Sequence, residues 1–280
     1  MVLFNEILPL QSYLSEFKGS SKIGFVPTMG ALHRGHLSLV ERAKKENDLV
    51  VASIFVNPTQ FDRAEDLLKY PKTLESDEQL LNSVGCDVVF APTVQEMYPE
   101  KIASQKFNFS GLDAVMEGKF RLGHFDGVGT VVKRLFDIVK PDNAYFGEKD
   151  YQQLMIVKKM VETEKIPVNI IGCRISREPD GLAMSSRNKR LTEVQRLEAP
   201  LIYKSLQKAK SMFPDNDLEK IKEMVSDKFF SNEILKLEYF EIADATTLQP
   251  ADKKTEDKKY RGFIAVFADT VRLIDNIALN

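Results

Sequence analysis

Cysteine is nearly absent from this chain. Cys86 and Cys173 are the only two, they stand far apart, and no CxxC spacing occurs. A disulfide framework and a cysteine-based zinc site are therefore excluded. Histidine is scarce too, with three residues, and none of them joins Cys or Asp at metal-ligand spacing, so no resident metal is expected. Net charge is almost lacking as well. The formal balance of -2 gives no bulk attraction to nucleic acid or to an acidic membrane, although a local basic cluster can still hold phosphates. No apolar stretch approaches the roughly 18 residues a membrane helix needs, and residues 1–6 carry no basic segment leading into an apolar run. A cytoplasmic protein without membrane association is expected. Internal repeats and low-complexity tracts are absent too. Neither a Ser–His–Asp triad nor a pair of acids at general acid–base spacing can be argued from the order of residues.

What remains is an ordinary folding composition. Hydrophobic residues make up 43% of 280, enough for a substantial core in two domains or in one large α/β domain. Ile7, Leu10, Leu14 and Phe17 have helical spacing, ended by Gly19-Ser20-Ser21. Residues 22–26 read as a buried strand, and Leu37, Val40 and Ala43 form the apolar face of the next helix. Residues 49–56 are an almost unbroken apolar run, which suits a parallel strand covered on both faces. The alternation continues through a helix over 77–84, a strand over 87–90, a loop or short helix between Pro92 and Pro99, and a helix through Val128, Val132, Leu135 and Val139 closed by Pro141. A strand over 144–146, a helix through Leu154, Val157 and Val161, and a strand over 168–171 follow. Repeated strand–helix units predict a doubly wound parallel sheet, whose ligands sit beyond the carboxyl ends of the strands. His36, Asn57 and Gly147 all follow strand ends. After about residue 180 the composition changes. Thr192-Glu193-Val194-Gln195 is a capping box, Pro200 should kink or restart the helix, and residues 237–242 and 262–267 alternate like antiparallel strands around a charged loop over 252–261. The expected division is a doubly wound, Rossmann-like α/β domain over 1–175 and a small α+β domain over 176–280.

One stretch stands out. Residues 24–37 read as a strand end, a glycine-punctuated turn and a helix start, with His33 and His36 inside it. Such a turn is expected to present backbone N–H groups and a helix dipole to a phosphate, and the dipole disfavours protonated imidazoles there. Neutral rings can then donate to phosphate oxygens. A lone HxGH is a weak signal, and a loop histidine is as often structural as catalytic. Lys149, after a glycine at a strand end, and Arg187, in a loop with Gly181 and two serines, suit phosphate oxygens, whereas in an unmarked helix either would be a solvated surface charge. Gln60 and Gln153 lie where a neutral amide can read a hydroxyl or a carboxylate, although either alone would be a surface residue.

The order of blocks carries more than any one of them. Pro27-Thr28-Met29-Gly30-Ala31-Leu32-His33-x-Gly35-His36 resembles the HIGH-type motif of the nucleotidyltransferases, and in particular that of the pantoate–β-alanine ligase family. Asn57-Pro58-Thr59-Gln60-Phe61 resembles its N-P-x-Q-F segment, and residues 66–74 its D-L…Y-P-[RK]-T-L stretch. Glu117-Gly118 with Arg121-x-Gly123-His124-Phe125-x-Gly127-Val128, then Gly147-Glu148-Lys149-Asp150-Tyr151-Gln152-Gln153-Leu154, continue the match. Arg177-Glu178, residues 180–188, and Arg272-Leu273-Ile274-Asp275-Asn276 complete it. Leu122 replaces the usual proline of R-P-G-H-F, and Lys72 replaces the commoner arginine.

The resemblance implies an ATP-dependent ligase, a HIGH-superfamily Rossmann-like fold, and a pantoyl-adenylate intermediate formed from pantoate before β-alanine enters. It implies ATP binding by Met29, Gly30, Ala31, Leu32, His33, Arg34, Gly35 and His36, by Gly147, Glu148, Lys149 and Asp150, by Ser176, and by Met184, Ser185, Ser186 and Arg187. His36, His33, Lys149 and Arg187 are the implied catalytic residues. Gln60 and Gln153 would hold pantoate, with Gln60 also near β-alanine. Mg²⁺ is expected on the nucleotide phosphates, and the family implies a homodimer. Three other readings stand beside it: another nucleotidyltransferase with the same turn, a tRNA-binding module, and a non-catalytic nucleotide scaffold. The acidic balance counts against the second, and the intact donors in every phosphate-facing block count against the third.

Overall fold

The computed structural model describes residues 1–61, 67–68 and 70–280, so residues 66 and 69 of the 66–74 block lie outside the described residues. The chain forms two compact units: residues 1–113, 117–148 and 153–174 make the first, and 114–116, 149–152 and 175–280 make the second.

Six strands build the first unit: β1 (Val2–Phe4), β2 (Ile23–Thr28), β3 (Leu49–Ile54), β4 (Val88–Phe90), β5 (Asn143–Gly147) and β6 (Asn169–Cys173). They lie in the order β1-β4-β3-β2-β5-β6, and every pairing is parallel. The intervening helices are α1 (Ile7–Ser15), α2 (Arg34–Glu46), α3 (Leu74–Ser83), α4 (Val94–Met97), α5 (Met116–Phe120), α6 (His124–Val139) and α7 (Tyr151–Glu164). Parallel neighbours require crossovers, and the crossovers cover both faces of the sheet. Along β2 the side chains alternate accordingly. Val26 joins Val50, Ala52, Val89 and Tyr145 beneath Leu37, Val40 and Ala43 of α2 and Leu81 of α3. Phe25 points to the other face, its ring 6.2 Å from Phe136 of α6 and nearly perpendicular to it. The chain steps outward from β2 through β3 to β4, then returns to place β5 on the opposite flank of β2. That reversal opens a crevice beyond the carboxyl ends of β2 and β5, where ligands of such sheets sit.

The second unit is smaller and antiparallel. Helices α8 (Glu193–Glu198), α9 (Leu201–Met212) and α10 (Leu218–Phe230) accompany β7 (Leu235–Asp244), β8 (Tyr260–Ala268) and β9 (Val271–Ala278), in the order β7-β8-β9. Ile202 and Leu206 of α9 share a core with Ile221 and Val225 of α10 and with Ile264, Val266 and Leu273 of the sheet. The capping box at Thr192 forms as expected, with both side-chain bonds present, and Pro200 ends up as the N-cap of α9. Four of the described helices and strands go beyond the sequence expectation: the short edge strand β1, helices α5 and α10, and strand β9. Helix α3 also starts at Leu74, earlier than residue 77.

Both thiols are sealed in the core, and burial pushes Cys86 up to about 11 and Cys173 upward as well. A disulfide-exchange reagent at neutral pH should therefore label no cysteine in the folded protein and two after denaturation. Rapid labelling of either before unfolding would contradict this burial.

Candidate active site

The turn after β2 is shaped from within. Gly30 and Ala31 both adopt left-handed backbone, with φ of 79° and 51°. For alanine that conformation costs roughly 1–2 kcal/mol. Asp77 of α3, only 1% exposed, offsets the cost. Its carboxylate accepts the N–H of Ala31 at 2.9 Å, the N–H of Leu32 at 2.8 Å and the hydroxyl of Thr73 at 3.0 Å. Each charge-assisted bond contributes about 1.5–3 kcal/mol. The Gly30 N–H is taken by Thr28 Oγ1 at 3.2 Å, and a Cβ at Gly30 would sit 3.0 Å from the Asp77 carboxylate.

At the start of α2 the pattern repeats. Gly35 N–H donates to His33 Nδ1 at 3.1 Å, and His36 N–H to the His33 carbonyl at 2.9 Å. These bonds correct the expected backbone phosphate cradle: the N–H groups of Gly30, Ala31, Leu32, Gly35 and His36 already have acceptors inside the protein. It falls to side chains and the helix dipole to meet an anion. Because His33 Nδ1 accepts, its neutral ring carries the proton on Nε2, as a donor. The His36 ring lies against it, centroids 4.0 Å apart. Arg34 is turned to the surface, where its fork engages Glu41 at 2.6 and 3.0 Å.

Gln60 is held on every side. Its Nε2 donates to Met29 Sδ at 2.8 Å, and its Oε1 accepts from Asn57 Nδ2 at 3.3 Å. Asn57, itself buried, also accepts the Tyr98 hydroxyl at 2.8 Å and donates to the Gly127 carbonyl at 3.1 Å. The Gln60 carbonyl accepts from His124 Nδ1 at 2.8 Å and from Arg121 Nη2 at 3.4 Å. Arg121 Nη1 lies 3.1 Å from His124 Nε2, and an arginine can only donate, so the His124 proton is on Nδ1. The third histidine is thus a clamp on Gln60. The 58–60 turn also packs directly on α6, since a Cβ at Gly127 would meet the Thr59 carbonyl at 2.3 Å. A cavity of about 230 Å³ opens beside Gln60, lined also by Phe61, Leu122 and His124. Leu122, in the place of the family's proline, is fully on the surface at 86% exposure. Gly147 and Glu148 close β5, the strand next to β2. Gln153 is half-buried in the first turn of α7.

The second unit gathers the remaining candidates. Lys149 lines one hollow with Ser185, Arg187 and Asn188, and its ammonium lies 3.5 Å from Asp150. Ser185 Oγ accepts the Arg187 N–H at 3.2 Å and caps the short turn Ser186–Arg190. Met184 N–H donates to the Ser176 carbonyl at 3.0 Å, and the Arg187 side chain is exposed. Within each unit, then, candidates scattered through the sequence come together: Met29 with Gln60 and His33 with His36 in one, and Lys149 with Ser185 and Arg187 in the other. Asp77, Asn57, Arg121 and His124 are supporting residues without an assigned role in the sequence reading. Thr73-x-x-x-Asp77 gave no recognisable signal, because a helix-start aspartate is common.

Comparison with known proteins agrees along the whole chain. The family model described as Pantoate-beta-alanine ligase matches residues 2–278. A pantothenate synthetase of Christiangramia forsetii is 54% identical over 282 residues, 100% of both chains. The crystal structure of a pantothenate synthetase from Thermus thermophilus superposes with a TM-score of 0.92 at 42% identity, covering 100% of this chain and 99% of that one. A pantoate-beta-alanine ligase from Francisella tularensis, complexed with beta-gamma ATP and beta-alanine, gives 0.81 at 38% identity over 100% and 98% of the two chains.

The geometry of the turn makes a direct expectation. Asp77→Ala leaves two buried N–H groups without an acceptor, at roughly 1–3 kcal/mol each. The urea midpoint should fall accordingly. A change no larger than the roughly ±0.5 kcal/mol of a surface substitution would show that the carboxylate does not hold the turn.

Proposed function

The chain belongs to the pantoate–β-alanine ligase family, and from that premise we propose which of its residues carry each part of the reaction. The enzyme condenses pantoate with β-alanine at the expense of ATP, giving pantothenate, AMP and pyrophosphate through pantoyl adenylate. In the first step a pantoate carboxylate oxygen bonds to the α-phosphorus as the bond to pyrophosphate breaks. In the second the β-alanine amine attacks the acyl carbon, AMP leaves with the bonding pair, and the nitrogen loses a proton. Neither step uses a protein nucleophile. What is required is donors held where negative charge develops, and partners held in line.

The observation that carries the assignment of roles is the turn itself, in which the amides point inward and two stacked imidazoles stand at a helix start. His36 is the principal catalytic residue, donating to the α-phosphate, and His33 assists through Nε2–H. Lys149, Arg187 and the hydroxyls of Ser185 and Ser186 take the charge that moves to the leaving pyrophosphate. The nucleotide is bound by Met29 to His36, by Gly147, Glu148, Lys149 and Asp150, by the backbone at Ser176, and by Met184 to Arg187. Gln60 and Gln153 bind pantoate through their amides, Gln60 also meeting β-alanine, and the clamp on Gln60 supports that role.

Mg²⁺ accompanies the nucleotide, held by its phosphates. Among the described residues no group of three His, Cys, Asp or Glu side chains converges. Residues 1–175 serve as the nucleotide- and pantoate-binding domain, with 176–280 carrying the Met184–Arg187 loop. The protein works as a cytoplasmic homodimer without nucleic acid or membrane partners; no helix among the described residues is long and apolar enough to cross a membrane.

With ATP, pantoate and β-alanine together, AMP and pyrophosphate should appear only when both organic substrates are present. ADP and phosphate as products would overturn the reaction. His36→Ala should remain folded and lose on the order of 10²–10³ in kcat, as removal of one oxyanion donor does elsewhere. Near-normal turnover by that variant would remove His36 from the chemistry.

A further inference from the structure

The dipeptide Asp275-Asn276 has no part in the mechanism above, yet both side chains are buried, at 3% and 2% exposure. Placing a carboxylate and an amide inside a small α+β unit costs stability unless every polar atom finds a partner. Their partners all lead to the nucleotide residues of the second unit. Asp275 receives the Arg177 fork at 2.6 and 3.0 Å and its neighbour's N–H at 2.7 Å. Arg177 also donates to the Gly181 carbonyl at 3.0 Å, while its guanidinium lies 3.7 Å over the Tyr203 ring. Arg177 pairs with Ala183 in an isolated bridge, so the fork grips the root of the loop that delivers Ser185 and Arg187. Asn276 turns the other way. Its Nδ2 donates to the Lys149 carbonyl at 2.8 Å, and its Oδ1 accepts from Arg261, whose guanidinium covers Tyr151 at 3.9 Å.

We propose that Asp275 and Asn276 are positioning residues for adenylation: through adjacent places on β9 they register the Arg187 loop and the Lys149 backbone against each other. The inference rests on the reading of Lys149 and Arg187 as phosphate donors. A lysine side chain is flexible, so the place of its ammonium is set by the backbone that carries it. A misplacement of about 1 Å at a reacting centre can cost 10²-fold. The carboxylate is suited to the loop because a fork fixes angle as well as distance. The amide is suited to Lys149 because it donates to a carbonyl and accepts from Arg261 at once.

The test compares two half-reactions of the full-length enzyme. Pantoate-dependent exchange of pyrophosphate into ATP reports adenylation. Conversion of preformed pantoyl adenylate with β-alanine reports the second step, in which no pyrophosphate is present. Asn276→Ala should slow exchange by about tenfold to a hundredfold and leave the second step within about twofold. In a Lys149→Ala background the same change should add less than about twofold, because the two act as one unit. Equal losses in both half-reactions, or a fully additive loss in the double variant, would overturn the proposal. If Lys149→Ala alone leaves exchange unchanged, the reading of Lys149 falls instead. Should Asn276→Ala fail to fold, Asn276→Asp, which keeps the acceptor for Arg261 and removes the donor to the Lys149 carbonyl, is judged by the same criteria.

Discussion

The chemistry of the first unit hangs on one buried carboxylate. Asp77 takes the two amides that a glycine-rich turn would otherwise offer to an anion, and it holds Gly30 and Ala31 in left-handed backbone while doing so. Phosphate-binding loops elsewhere use such amides as the binding groups. Here the protein's own carboxylate fills that position, and in the proposed assignment the work of meeting an anion passes to His33, His36 and the dipole of α2. The exchange has a physical advantage for adenylation. Side-chain donors aimed at the α-phosphorus of a bound nucleotide would act where charge develops.

The same construction recurs at Gln60. The residue lines a cavity while its backbone carbonyl is gripped by His124 and Arg121 and its side-chain amide by Met29 and Asn57. Behind it, the absence of a side chain at Gly127 lets α6 approach the turn backbone to backbone. A neutral amide discriminates a substrate hydroxyl or carboxylate only if it cannot rotate to suit a wrong one, so the supporting residues set its selectivity as much as the glutamine does.

Much of this was legible in the order of residues. The parallel sheet follows from apolar runs such as Leu49–Ile54, the restart at Pro200 from proline chemistry, and the capping box from Thr192 and Gln195. Helix α10 was missed, although Leu218, Ile221, Val225 and Phe229 keep helical spacing after an Asp217 cap. Strand β9 was not legible. Asp275 and Asn276 interrupt its alternation, because both polar side chains are buried to make specific bonds. The free amides expected at the HxGH turn were wrong for a related reason. Nothing local to residues 24–37 reports that an acid 46 positions away from Ala31 will claim them. Local pattern fixes elements; which polar group satisfies which is decided by tertiary pairing, and that is where this site is built.

Stability alone does not account for the pairing in the second unit. A buried Arg177–Asp275 pair loses the hydration of two ions, and an apolar pair of similar volume would serve the core of the second unit as well or better. Burial accordingly pushes the Asp275 carboxyl upward against the pull of Arg177. What an apolar pair could not supply is direction. Two parallel N–H···O bonds fix the guanidinium plane, the plane fixes its contact with Tyr203, and the remaining donor fixes the Gly181 carbonyl, where φ of 94° already demands glycine. Each link is short, oriented and polar. In the second unit these links place donors, which stability alone does not ask for.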